Sequence, residues 1–594
     1  MRRGFSLAVA YTGLTFALTY PLILHFSTFF VGDSEDGASS VWAVWWMKYS
    51  LMDLHQSPLA CDYLFYPFGV SLTYHHMPKV MGLISIPFQY IFGLTAAYNL
   101  LFVGTFVATG LTTYWLVRRL TGERLPAFLA GAIFAFAPFR WGQQSHIALL
   151  STMMIPVYFA LLFQGMDALA ESGRRAWKYF VLAGVALAMA AYDTEQYVIF
   201  LLPLTALFAV FFFPLRWNRE EFKKWFRLLT GLGIAGLTAA LLYSPIFFTA
   251  LSEMKSQGDF VTFPLGVSWP GADLLSFFVP QGTFAFLGST FDKFTQSFSP
   301  AETTYFGWTA LTLAAIGVVT HVRSRKVWFW TATAVIFSAL ALGPYPIING
   351  SVLSIRGPYI LITKIPFINE GRAPGRFALL AMLAIAVLAG YGASALLRQF
   401  RKDRKGRMAA SIVCAVLLLA VCVEFKPSVT LTSNESPDIY EEIAASGTQG
   451  SVIDLPLGWE SGNLTTGTEK TFVQLYQPIH QKPMVGGFVS RTPMEVVMRG
   501  LYTPVIDYLV KPDQPEPSAP DVNPAAISRV MDEYQIAFIV VHKLGPETIA
   551  RGTDYHVDSG LSPTAINNVD KYVTTWLGME KFAETEDIVA YRRR

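Results

Sequence analysis

From Arg376 to Arg407 the chain reads RFALLAMLAIAVLAGYGASALLRQFRKDRKGR, and MAASIVCAVLLLAVCVE follows from Met408 to Glu424. Arg376 and Arg398 bracket an uninterrupted apolar run of about 21 residues, enough helix to cross a hydrocarbon core about 30 Å thick. Six basic residues then fall between Arg398 and Arg407 before the next apolar run begins. An apolar span, a basic turn and a second span are the grammar of a polytopic membrane protein whose basic turns stay in the cytoplasm.

The same grammar recurs along the 594 residues. Basic clusters at Arg118/Arg119/Arg124, Arg174/Arg175/Lys178, Arg216 to Arg227 and Arg323/Arg325/Lys326 each close an apolar stretch. Placing every cluster and the N-terminus inside predicts eleven crossings, at about 5–27, 96–117, 125–138, 147–164, 178–192, 197–214, 227–249, 305–321, 327–342, 376–397 and 408–424. The apolar stretch from Lys79 to Gly93 must not cross, or the alternation fails at every later turn. It is short, follows Pro78 and contains Pro87, and is expected to lie in the membrane interface. The run from Phe5 to about Phe26 is too long for a signal peptide and lacks a small-residue cleavage site.

Composition agrees. Hydrophobic residues make up 53% of the chain and charged residues only 15%, against about 25% charged in soluble proteins, and the mean hydropathy is +0.40. A net charge of +3 points away from nucleic acid as a partner. Of the three cysteines, Cys414 and Cys422 stand about 12 Å apart along one helix and cannot bridge, so no disulfide framework is expected.

The predicted domains are a membrane all-α bundle over 1–424, with a first outer loop at 28–95, and an extracytoplasmic soluble α/β domain over 425–594. From Glu424 onward mixed charge and frequent Pro and Gly replace the apolar runs, and Ser451–Leu455, Ile536–His542 and Ile588–Arg592 are strand-like.

The first outer loop opens with Asp33, Glu35 and Asp36, followed by Trp42, Trp45, Trp46 and Tyr49 at helical spacing. This helix is expected to lie on the bilayer with its aromatic edge in the headgroups, holding its acidic start at the membrane boundary. There Asp33, Ser34 and Glu35 read as the cap and charge of a helix start, or the acids read as a general base or metal ligand, with Asp33 and Asp36 the candidates, facing a membrane-bound substrate. Other outer turns carry Arg140 and His146, then Glu195. His75 and His76 precede the interfacial helix, where metal ligation has no second ligand spacing to support it. Arg372 and Arg376, in Arg372-Ala373-Pro374-Gly375-Arg376, set two guanidinium groups before a crossing, a pairing suited to phosphate. No P-loop, H-E-x-x-H or G-x-S-x-G motif occurs. No ionisable residue falls in the middle of a predicted crossing, which argues against a proton-coupled transporter.

With these residues in place the chain resembles the GT-C superfamily of membrane glycosyltransferases, which includes protein O-mannosyltransferases and aminoarabinose transferases, and more closely a widespread bacterial branch of multi-pass proteins. The resemblance rests on the acidic start of the first outer loop with Asp36 six residues before Trp42, and on Asp62-Tyr63-Leu64-Phe65-Tyr66-Pro67. It rests also on Phe134 to Arg140 leading to His146, on Arg372 to Arg376, and on Gly486-Gly487-Phe488-Val489-Ser490-Arg491. It implies a hexosyl- or pentosyltransferase of the inner membrane that moves a sugar, with inversion, from a polyprenyl-phosphate carrier to a glycan, lipid or protein acceptor at the outer face. It further implies Asp36, or Asp33, as base or metal holder, with either no cofactor or a divalent cation. Arg372, Arg376, His146, Glu195, Arg140, His75 and His76 are the expected substrate contacts. Two other readings compete: a non-catalytic flippase or transporter of a lipid-linked glycan, and an assembly subunit whose outer domain binds partner proteins.

Overall fold

Each predicted crossing holds a helix. In the computed structural model, which describes residues 2–171, 176–214, 218–257, 271–282, 287–298, 303–364, 373–400, 403–461, 464–467, 471–491, 497–499, 502–512, 523–543 and 560–594, α1 spans Arg2–Leu18. Two helices of the first outer loop follow, α2 (Asp36–Lys48) and α3 (Lys79–Phe92). Ten further helices fall on the other predicted crossings: α4 (Leu94–Thr121), α5 (Arg124–Ala135), α6 (Met154–Glu171), α7 (Ala176–Asp193), α8 (Glu195–Phe211), α9 (Arg219–Gln257), α10 (Trp308–Thr320), α11 (Arg325–Ala341), α12 (Ala378–Arg398) and α13 (Arg404–Glu424). Five segments among the described residues are long and apolar enough to cross a membrane: Leu94–Thr121, Ile147–Ala170, Arg219–Ser256, Pro374–Arg398 and Arg404–Glu424. α1 stops at Leu18, short of the expected 27, because Pro21 has no N–H to continue the ladder and disfavours helix in the residue before it.

The chain divides into two compact units. The first comprises Met1–Leu24, Leu100–Pro245 and Phe263–Val429. Its centre is α12, buried on every side from Ala378 to Ser394, as a helix apolar all round must be. α10 lies directly on α12 because Gly317 and Gly392 have no side chains: a Cβ on Gly392 would collide with the Leu313 carbonyl oxygen, and one on Gly317 with that of Leu388. This is small-residue packing of the kind that brings helix backbones together where hydrophobic exclusion cannot. α13 instead exposes Met408, Ile412, Val416, Leu419 and Val423 along one side, a face suited to hydrocarbon and costly in water. At one end of this unit the basic clusters meet shared acids: Arg119 and Lys326 both reach Asp167 (2.8 and 3.4 Å), and Arg398 reaches Glu123 (2.8 Å).

The second unit comprises His25–Asn99, Ile246–Thr262 and Thr430–Arg594. β1 (Phe29–Val31) pairs antiparallel with β2 (Leu431–Ser433). The Asn99 side chain secures that junction, accepting from Val31 N (3.3 Å) and donating to the carbonyls of Phe26 (2.9 Å) and Phe29 (2.7 Å). The three strand-like runs fold as strands: β3 (Ser451–Leu455) and β4 (Ile536–His542) run parallel, β5 (Glu580–Glu584) and β6 (Ile588–Arg592) antiparallel, in the order β5-β6-β4-β3.

α2 overturns one expectation. Its tryptophans do not edge the headgroups; they are inside the protein, Trp42 and Trp46 fully and Trp45 nearly so. Trp42 stacks on Trp46, ring centres 5.8 Å apart, and donates from Nε1 to Gln477 Oε1 (2.7 Å), while Trp46 Nε1 donates to the Pro58 carbonyl (3.0 Å). Helical spacing is the same whether a face meets lipid or a core, and here the C-terminal residues cover it. α3 has the opposite disposition. Ser85 and Gln89 are buried, and Gln89 Nε2 donates to Val44 O (2.9 Å) and Ser85 Oγ (2.8 Å), whereas Leu83, Ile84, Tyr90 and Ile91 are exposed on the other face.

Candidate functional site

In the first unit the turn from Asp193 to Tyr197 carries the predicted site residue Glu195 and holds Arg376, and all five of its side chains are tethered to other elements. Asp193 Oδ2 accepts from Ser151 Oγ (2.6 Å), and Thr194 Oγ1 donates to the Ala148 carbonyl (2.9 Å). Glu195 Oε1 accepts from Tyr243 OH on α9 (2.9 Å), and Gln196 Oε1 accepts from Arg376 Nη1 (2.7 Å). Tyr197 OH donates to the Leu149 carbonyl. The turn therefore carries Glu195 and the buried Asp193, and holds Arg376 through Gln196.

Arg140 belongs to the same end and is fully buried. Its Nη1 donates to Ala135 O, its Nη2 to Leu150 O (2.9 Å) and Thr105 Oγ1 (3.2 Å), and its guanidinium lies 4.2 Å from the Phe106 ring centre. Ala135 ends α5 and Leu150 ends the short helix Ile147–Leu150, so the cation sits where carbonyls are left over at helix C-termini and the dipole favours positive charge. His146 is the residue before that short helix, and its side chain makes no cap bond. Arg372 lies outside the described residues.

In the second unit Asp33 Oδ1 accepts from the amides of Glu35 (3.1 Å) and Gly37 (3.0 Å), closing the start of α2. Gly37 is required there, since a Cβ would stand 2.8 Å from the Gly32 carbonyl carbon. Asp36 opens the helix. Burial raises the Glu35 carboxyl above its ordinary range, and the negative charges of Asp33 and then Asp36 add to the shift. His75 is buried, its Nδ1 within 3.1 Å of Ser490 Oγ and accepting from Ser490 N (3.2 Å), so it ties the first outer loop to the Gly486–Arg491 run. His76 is half-buried. Lys79, absent from the sequence-based set, is buried beside His75; it reads as a flanking charge after Pro78, and only packing reveals it. Asp193 is a second omission, hidden in the turn that supplied Glu195. Among the described residues no three His, Cys, Asp or Glu side chains are grouped to hold a metal ion.

Burial drives the His75 imidazole down to about 3, helped by Lys79, and burial drives His480, in the same unit, down to about 4. Both rings are neutral when folded, whereas in the unfolded chain they take protons near pH 6.5. The unfolded state thus binds more protons below that pH, and stability falls on acidification by up to about 1.4 kcal/mol per pH unit for each ring. The unfolding temperature is expected to drop between pH 7 and pH 5, less steeply in His75→Gln; a flat profile for the parent protein would contradict the burial of these rings.

These features are those of a many-helix membrane protein with a polar cluster at one end of its helical unit. The chain belongs to the family described as a domain of unknown function, DUF6311, whose model matches residues 9–423. No curated protein matches it. Among solved structures it is similar to ArnT from Cupriavidus metallidurans bound to undecaprenyl phosphate, at 11% identity and a TM-score of 0.47 over 99% of this chain and 97% of that one. It is also similar to the Archaeoglobus fulgidus oligosaccharyltransferase in the apo form, at 11% identity and a TM-score of 0.46 over 91% of this chain and 69% of that one.

Proposed function

We propose that this protein is an inverting glycosyltransferase of the inner membrane that moves a sugar from a polyprenyl-phosphate carrier to a cell-envelope acceptor at the extracytoplasmic face. The observation that carries this reading is the Asp193–Tyr197 turn, which bears two hydrogen-bonded carboxylates, Asp193 and Glu195, and holds the Arg376 guanidinium through Gln196. A fixed cation among hydrogen-bonded acids suits a reaction in which negative charge develops on a leaving phosphate. The basic clusters lie at the cytoplasmic face in this reading, and the exposed apolar side of α3 rests in the interface.

The acceptor hydroxyl gives its proton to Asp36 or Asp33, its oxygen bonds to the anomeric carbon from the face opposite the phosphate, and the carbon–phosphate oxygen bond breaks. The electron pair leaves on the polyprenyl phosphate. The assignment of the base to Asp36 or Asp33 rests on the sequence resemblance; one Asp33 oxygen accepts from two amides at the start of α2. Asp36→Asn is expected to lower transfer from a polyprenyl-phosphate sugar by about 10²-fold or more. Asp33→Asn retains the capping oxygen and is expected to fold normally. Full activity in both variants would remove the proposed base, and transport of the lipid-linked glycan surviving in both would favour a flippase.

A further inference from the structure

The Asp193–Tyr197 turn is braced by a side chain to which the transferase reading gives no role. Tyr243 on α9 donates from its phenol to Glu195 Oε1 at 2.9 Å. Its ring meets the edge of Tyr192 on α7, centres 5.5 Å apart at 77°, and Tyr192 OH donates in turn to the carbonyl of Leu242, the residue before Tyr243 (2.8 Å). The two tyrosines make a reciprocal clasp, α7 bonded to the α9 backbone and α9 bonded to the first residue of α8. A glutamate side chain turns about several torsions and spreads over many rotamers where it is not enclosed. A donor on a braced ring selects among them, so Glu195 is ordered before any ligand arrives.

Glu195, Tyr243 and Tyr192 are all half-buried, whereas Asp193 in the same turn is only 2% exposed. Glu195 is therefore the acid of this turn that a ligand reaches. A carboxylate only accepts, in about four directions, so one phenol does not exhaust it and further hydroxyls suit it. The next residue, Gln196, accepts from Arg376, which meets the phosphate in the transferase reading, and the sugar is joined directly to that phosphate. Consecutive Cα atoms stand about 3.8 Å apart, which brings a sugar on a phosphate held at Gln196 within reach of Glu195.

We propose that Glu195 contacts hydroxyls of the sugar on the polyprenyl phosphate and that Tyr243 is its positioning residue, so that the pair favours the sugar-bearing carrier over the bare lipid phosphate. The inference rests on the transferase reading and adds to it the group that recognises the sugar.

The test measures binding, not turnover. Affinities of the full-length protein in lipid nanodiscs are determined for undecaprenyl phosphate and for the same lipid bearing glucose, mannose, galactose or arabinose. The parent protein is expected to bind one of the sugar lipids more tightly than the bare lipid. Tyr243→Phe, which keeps the ring, should weaken that sugar lipid about three- to tenfold, and Glu195→Ala about tenfold or more, while the bare lipid is bound no less tightly in either. In the Glu195→Ala background Tyr243→Phe should add nothing, because a residue that acts through another loses its effect with it. Equal losses for sugar-bearing and bare lipid, additive losses in the double variant, or no loss in the single variants overturn the proposal and leave the phosphate role of Arg376 standing, as does a parent protein that prefers none of the sugar lipids to the bare one. Failure of the parent protein to bind any of these lipids removes the transferase reading and this inference with it.

Discussion

Arg376→Ala is expected to lower sugar transfer by about 10²-fold or more while leaving the protein folded. In the proposed reaction the guanidinium meets the phosphate at the Asp193–Tyr197 turn, where it donates to Gln196 Oε1 at 2.7 Å. A preorganised donor facing charge that develops only in the transition state typically contributes that much, because it needs no reorganisation when the bond breaks. Truncation leaves Gln196 at a half-buried position where water can replace the lost donor, so folding should survive. Arg376→Lys keeps the charge but loses the planar fork and should fall between the two. The measurement is the transfer rate from a polyprenyl-phosphate sugar, with thermal unfolding as control. Unchanged transfer in a folded Arg376→Ala protein would refute the phosphate role.

Trp42→Ala is expected to destabilise the second unit by about 3–5 kcal/mol, the usual cost of truncating a large buried aromatic. The ring is completely enclosed and stacked on Trp46. Its N–H is bonded to Gln477 Oε1, and Gln477 is itself buried, so truncation also strands a polar atom at about 1–3 kcal/mol. Trp42→Phe keeps most of the apolar area and isolates that second contribution. Denaturation of the purified protein, or protease cleavage within residues 430–594, reads the effect. A Trp42→Ala protein as stable as the parent, but altered in lipid binding, would return α2 to the headgroup position that its sequence suggests.

Much of the fold was legible in local pattern. The strand-like runs Ser451–Leu455, Ile536–His542 and Ile588–Arg592 became strands with those same ends, because alternating or continuous β-branched residues between turn formers leave little else open to the backbone. Helix ends were less legible. α9 runs from Arg219 to Gln257, past both predicted limits and through Pro245, since charged residues at the edge of an apolar run do not stop a helix. The candidate site was half legible. Glu195 and Arg376 were recognisable as polar groups at helix ends, but their shared turn joins residues 180 positions apart, and no spacing rule reaches that far.

Hydrophobic period and charge placement, read along the chain, determined that apolar helices alternate with basic turns and that a strand-containing segment follows Glu424, because backbone hydrogen bonding and the cost of burying charge act locally. Only tertiary structure decided which side of α2 and α3 faces the core, that Asp33 closes a helix, and that Tyr243 meets Glu195. Those outcomes depend on which distant segment covers a surface, and an apolar face has the same spacing whether lipid or protein lies against it.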